Sequence, residues 1–199
     1  MSISTYAELQ TAVTNWTKRA DLATPAPDLI LLGEKWIFRN VRAREMETAL
    51  SGTISSGVLA VPSGFRQLKH ARVNESPNVP LRIVSATYIY ENYPQRSGGN
   101  TPKFIAVDGA NFVFGPYPAD KAIVGTYYGA LTSIQSTANA LFLAHPDLYL
   151  MAALAEAAPY CKDLKMSALW VSKRDEIKND INRESHQGRF GDAMAVRPG

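Results

Sequence analysis

Between Ala122 and Ala155 the only formal charge is Asp147. An element on the surface of a monomer turns a charged or polar face to water, so a span this poor in charge needs cover on most sides. Two arrangements supply it: the central strand and helix of a single-chain core, or burial against neighbouring copies of the same chain. The chain has enough material for a core, since 199 residues with 46% apolar content can bury one without disulfides or metal. Cys161 is the only cysteine, which excludes an intrachain disulfide and suits a reducing compartment. No basic, apolar leader opens the sequence, and no window approaches the ~18 uncharged apolar residues of a membrane span. The expectation is a chain that folds in water, with no membrane partner. Its net charge of +3 is too small for the basic stripe that marks nucleic-acid binding.

Helical patterning frames the chain. Thr5 followed by Glu8 is a capping box, and Leu9, Ala12, Val13 and Trp16 follow at helical spacing, predicting a helix over about 5–20. After Thr24-Pro25-Ala26-Pro27, a second helix carries Leu29, Leu32, Trp36 and Ile37 as far as about Arg42. Pro27 and Asp28 suit its first turn, while Lys35, Arg39, Arg42 and Arg44 gather toward its C-terminal end. The helix dipole and solvation account for those cations; contact with phosphate or an acidic partner is the other reading.

From Ser51-Gly52 to about Leu131 the apolar residues fall in short runs bounded by turn residues. Strands are predicted over Thr53–Val61, Arg66–Val73 and Leu81–Val84, while Ser85–Tyr93 reads equally as a helical turn or a strand. Gln95–Pro102 reads as a mobile polar loop. Asp108-Gly109 between Phe104–Val107 and Asn111–Phe114 predicts a β-hairpin, and Ala122–Ala130 a further strand. Helices then return: a short one over Ser136–Ala144, a longer one opening at Pro146-Asp147 and weakened at Pro159, and a last one carrying Met166, Leu169, Trp170, Ile177 and Ile181. On its other faces Lys173 with Glu176, Asp175 with Lys178, and Asp180 with Arg183 stand at pairing distance. Trp16 and Trp170 are both expected to fill the helical core. Beyond Gln187-Gly188 the pattern is lost, as in a frayed terminus or a strand that orders on a partner.

Catalytic constellations are missing from the sequence. It has no Gly-x-Ser-x-Gly elbow, no His-Glu-x-x-His, no Gly-x4-Gly-Lys-Ser/Thr loop and no Gly-x-Gly-x-x-Gly. His70, His145 and His186 lie on three different predicted elements without a cysteine or carboxylate at ligand spacing, so neither a metal nor a cofactor is expected. His145 is positioned to cap the helix at Pro146. The tyrosines and phenylalanines of the β region read as sheet packing rather than base-stacking platforms. The expectation is a protein that is not an enzyme and works by shape and contact.

Specific strings then carry a resemblance. Tyr6-Ala-Glu-Leu-Gln10, Trp16, Arg19-Ala-Asp-Leu22, Pro27-Asp-Leu-Ile30 and Arg42-Ala-Arg-Glu-Met-Glu47 resemble the N-terminal pattern of tailed-phage head-to-tail adaptor proteins. Leu59-Ala-Val-Pro62 with Phe65, Tyr127-Tyr128, Pro146-Asp-Leu-Tyr-Leu150, Glu156-Ala-Ala-Pro-Tyr160 and Trp170 continue it in order. Departures are Thr17 in place of an apolar residue, the extra residue before Pro62, and the Gln95–Thr101 loop. The resemblance implies a homo-oligomeric ring, commonly of twelve copies, between the portal protein and a tail or nozzle protein at the head-tail junction of the virion. DNA passes through its lumen, without sequence-specific binding, during ejection. Before assembly the protein would reside in the host cytoplasm.

It further implies Arg189, Phe190, Met194 and Val196 as portal-docking candidates and Arg39, Arg42, Arg44 and Tyr149 as intersubunit or partner candidates, with Ala138–Ala158 an intersubunit or bundle helix. A tail-completion or tail-side connector protein and a DNA-binding accessory protein are the alternatives. The expected fold is α+β. Terminal helices (1–50 and 132–187) form a bundle, with an antiparallel β-rich insertion over 51–131 and an extended tail over 188–199.

Overall fold

The computed structural model describes residues 3–187. The chain divides into two compact units, one formed by the residues up to Met46 and from Leu131 onward, the other by Glu47–Ala130.

In the first unit, helix α1 (Tyr6–Thr17) opens on the expected capping box: the Glu8 amide donates to Thr5 Oγ1 at 3.3 Å and the Thr5 amide to Glu8 Oε2 at 3.0 Å. The helix stops at Lys18, whose left-handed backbone (φ +53°) cannot continue it. Its stripe is covered only through Leu9, Ala12 and Val13; Trp16, one turn further on, is 55% exposed and does not fill the core as expected. Helix α2 (Ala26–Asn40) carries Pro27 and Asp28 in its first turn and buries Leu29, Ile30, Gly33, Ile37 and Phe38 along one face. Helices α4 (Ala140–Ala144), α5 (Pro146–Tyr160) and α6 (Leu164–Gln187) complete the unit.

Helix α5 is the hub. Every side chain from Leu148 to Ala155 is buried, and α1, α2, α4 and α6 all pack on it. The charge-poor span therefore finds cover for its helix within one chain. Small residues permit close approach: a Cβ added to Gly33 of α2 would lie 2.9 Å from the backbone of Ala152 and Ala153. Pro159 sits in the last turn of α5, and the helix ends one residue later. Its free carbonyls are taken by Cys161, Lys162 and Asp163 amides, with Lys162 left-handed at φ +57°. On α6, Lys173 pairs with Glu176 at 2.9 Å and Arg183 with Asp180. Asp175 meets Arg174 at 3.2 Å, not Lys178 as its spacing suggested.

The second unit is a seven-stranded sheet. Its strands are β1 (Glu47–Thr53), β2 (Val58–Ala60), β3 (Phe65–Val73), β4 (Val79–Ile83), β5 (Phe104–Asp108), β6 (Asn111–Gly115) and β7 (Ala122–Gly129), ordered β1-β7-β3-β4-β5-β6-β2. The run expected as one strand over Thr53–Val61 is broken by left-handed Ser56 and Gly57. Only Thr53 of the run joins β1, which begins earlier at Glu47, and Val58–Ala60 form β2; the two pair with β7 and β6 at opposite ends of the strand order. Because only Ile54–Gly57 separate these two edges in the chain, the sheet has to curl until its ends nearly meet. Leu50, Leu68, Ile105, Phe112, Phe114 and Ile123 fill the concave side, with Phe65 edge-on to Phe112 at 5.2 Å between ring centres.

Strands β4 and β5 run parallel. A parallel pair needs a crossover, and helix α3 (Ala86–Asn92), capped by Ser85, lies in it and buries Ile89 against Ala106 and Val113. This settles the ambiguous Ser85–Tyr93 segment as helix. The β5–β6 hairpin forms as predicted, with Asp108 opposite Asn111 and Gly109 at φ +56° in the turn. The polar loop after Tyr93 is pinned at its start: Arg96 Nη1 donates to the Phe114 carbonyl at 2.9 Å, and its guanidinium lies over the rings of Tyr90 and Tyr117.

The expected architecture, a bundle of terminal helices with an antiparallel β-rich insertion, is thereby corrected. The strands form one curled, near-barrel sheet of mixed direction with a helix in its crossover, and the other helices gather on α5 instead of sharing a four-helix core. The physical reason is the composition of α5. A helix with no polar side must be surrounded, whereas a bundle is built from helices that each keep one face in water.

Candidate functional site

The C-terminal end of α2 brings the expected arginines together, in different roles. Arg42 folds back onto the helix end: Nη1 donates to the carbonyls of Phe38, Arg39 and Val41 at 3.4, 3.3 and 2.7 Å. It is a cap on the free C-terminal carbonyls, where a cation is favoured. Arg39 is exposed and uses Nε on the Lys35 carbonyl at 3.1 Å, and Arg44 is exposed. The end of α2 is further held by Asn182 of α6, whose Oδ1 accepts from the Arg42 amide at 2.9 Å while its Nδ2 donates to the Asn40 carbonyl at 3.5 Å. One turn back, Trp36 carries the guanidinium of Arg174 over its ring at 3.7 Å from the centroid, and Lys178 at 5.9 Å. The sequence offers little signal for Asn182 and Arg174, since both act across a long loop of chain.

Tyr149 takes a different place from the one expected. It is 2% exposed, stands edge-on to Phe142 at 5.2 Å between ring centres and donates from its hydroxyl to Asn139 Oδ1 at 3.2 Å. Burial raises its phenol. Within this chain Tyr149 is a core residue: it lies on α5 and is itself covered by the packing around that helix. Asn139 caps α4 through the Phe142 amide and ties back to the Thr132 carbonyl. His145 makes no side-chain cap at the start of α5. Arg189, Phe190, Met194 and Val196 lie outside the described residues.

The most buried charge in the helical unit was not anticipated. Glu34, 2% exposed, sits on the buried side of α2 and accepts from Ser133 Oγ at 2.7 Å and from the Ile134 amide at 2.9 Å. It anchors the segment that leads into α4. Burial, with the carboxylates of Glu34 and Asp28 nearby, raises the phenol of Tyr6, which lines a small depression with Pro27, Ile30, Leu31 and Ile134. Glu34→Ala is expected to lower stability by about 2–3 kcal/mol, because the buried Ile134 amide loses this acceptor and hydrogen bonds to a charged group are the stronger kind. Urea midpoints of the variant and wild type check this; equal midpoints would show that water replaces the carboxylate.

Among the described residues no group of three or more His, Cys, Asp and Glu side chains could hold a metal ion. What the helical unit does offer is contact surface. Trp16, Leu31, Leu32, Leu143, Tyr160 and Leu169 are each 41% exposed or more, large apolar side chains that a solitary chain leaves in water. No described helix is long and apolar enough to cross a membrane.

No curated protein matches the chain. A family model described as SU10 adaptor protein matches residues 4–197, nearly the whole of it, in line with the order of strings from Tyr6-Ala-Glu-Leu-Gln10 to Trp170. The chain belongs to the SU10 adaptor protein family, a family of bacteriophage head-tail adaptors.

Proposed function

We propose that this protein is a virion structural protein that joins the portal to the tail as a ring, commonly of twelve copies, and leaves a channel through which DNA is ejected. The observation that carries this reading is the family match across residues 4–197. The exposed apolar side chains of the helical unit support it, since an adaptor works by the surfaces it presents to neighbours. In a ring each contact is head-to-tail, one patch of a copy meeting a different patch of the next. The protein acts by contact and not by catalysis, in keeping with a sequence that carries no nucleophile elbow, phosphate loop or metal motif. DNA crosses the lumen without being read, and assembly takes place in the host cytoplasm.

The C-terminal residues 189–199 serve as the portal-docking segment, with Arg189, Phe190, Met194 and Val196 as its contacts. Deleting them is expected to leave the circular dichroism and urea midpoint of the chain unchanged and to abolish its co-sedimentation with portal. A truncated protein that still co-sediments would sink the assignment of the tail. Electron microscopy of the full chain mixed with portal tests the ring itself: a closed ring on the portal supports the reading, and attachment to tails that lack heads transfers the protein to the tail side.

A further inference from the structure

The outer face of α2 has a charge order that reads as its own complement. Asp28, Leu31, Leu32, Lys35 and Arg39 follow at spacings of three, one, three and four residues, which places all five on one stripe opposite the buried Leu29, Ile30, Gly33 and Ile37. That inner face is taken up by α5. The outer stripe has no such cover: Leu31 is 41% and Leu32 51% exposed, and Asp28, Lys35 and Arg39 are exposed. Among the described residues none of these three charges forms an ion pair.

We infer that the outer face of α2 pairs with the same face of a second copy, the two helices antiparallel about a two-fold axis between Leu31 and Leu32. In that register Leu31 meets Leu32 of the second copy, and Asp28 stands opposite Lys35 of the second copy at both ends. A parallel arrangement would set Asp28 against Asp28 and Lys35 against Lys35, so the charges select one direction. The leucines supply the apolar centre, and the lysine stem covers their edge while its ammonium reaches the carboxylate.

A second copy fits better than an unrelated partner because the negative, apolar and positive positions are arranged symmetrically about the leucine pair. A two-fold contact closes on itself and cannot propagate a ring. The pair therefore belongs to the free protein and has to part when a copy takes its place in a larger assembly. The contact is a single helix pair, smaller than the ~1,200 Å² of stable specific interfaces, and the dimer is correspondingly weak.

Sedimentation equilibrium of the intact chain, without portal and at low ionic strength, tests this. The wild type is expected to show a concentration-dependent monomer–dimer equilibrium, and Leu32→Glu a monomer throughout. Asp28→Lys and Lys35→Asp each turn two attractions into two repulsions and are expected to weaken association about tenfold, whereas the double exchange restores it to within about threefold of wild type. The substituted side chains are exposed, so circular dichroism should not change. A wild type that stays monomeric, a double exchange as weak as the singles, or growth beyond a pair would each overturn the contact. Because portal is absent, this result and the tail-deletion result can fail independently.

Discussion

Trp170→Ala is expected to lower the stability of the helical unit by about 3–5 kcal/mol, while Trp16→Ala lowers it by less than about 1 kcal/mol. The two tryptophans look alike in the sequence, each belonging to an apolar stripe at helical spacing. The difference is cover. Trp170 is 6% exposed on α6, which packs along α5, so its removal leaves a cavity the size of an indole in a close-packed interior. Trp16 is 55% exposed at the last turn of α1, and truncating it gives up little packing. Urea titrations followed by circular dichroism compare them directly. Since the chain has two compact units, the shift should fall on the transition of the helical one and leave any separate sheet transition in place. Equal losses at both positions would contradict the burial of α1 described above.

Gly33→Leu is expected to cost about 3 kcal/mol or more and to separate α2 from α5. Gly33 occupies the point of closest approach between the two helices, where even a methyl group would stand 2.9 Å from the Ala152 carbonyl carbon and the Ala153 nitrogen. Those are backbone atoms of a helix buried on all sides and have nowhere to move. Gly33→Ala isolates the effect. Alanine favours the helix by up to about 1 kcal/mol over glycine, so any net loss reports the clash alone. A net gain would mean that α2 and α5 lie further apart than described. Glu34, the next residue, makes the result legible, because displacing α2 also withdraws its carboxylate from Ser133 and Ile134.

Most elements were legible one at a time, and the reasons are local. The capping box of Thr5 and Glu8, the Asp108-Gly109 turn and the Pro146 helix start each depend on residues within a turn of one another, so neighbouring side chains suffice to specify them. The resemblance to head-tail adaptors was legible too, because it rests on the order of strings along the chain. What the strings could not carry was pairing. The run over Thr53–Val61 reads as one strand, but the left-handed Ser56-Gly57 turn interrupts it, so that Thr53 closes a strand begun at Glu47 while Val58–Ala60 pair at the opposite end of the strand order. Likewise, the parallel β4–β5 pair follows from where the crossover helix α3 packs, not from any residue within the strands.

The candidate contact residues divide along the same line. Arg42 was expected at the end of α2, and its capping of three carbonyls follows from helix geometry. Tyr149 could not be sorted into surface or core by spacing, because α5 is apolar all round and periodicity has no polar face to contrast with it. Asn182 on the end of α2, Arg174 on Trp36 and Glu34 under Ser133 and Ile134 join positions about a hundred residues or more apart.

By itself, the sequence determined the approximate places of most helices and strands, the family the chain belongs to, and that the stretch from Ala122 to Ala155 had to be covered. Only the tertiary structure decided what covers its helix, which is this chain's own α1, α2, α4 and α6, and how the strands pair into a curled sheet of mixed direction. Caps and turns are set by atoms a few residues apart. The partner of a buried face or a strand edge is chosen by the competition of all distant surfaces for it, and that competition is resolved only when the whole chain packs.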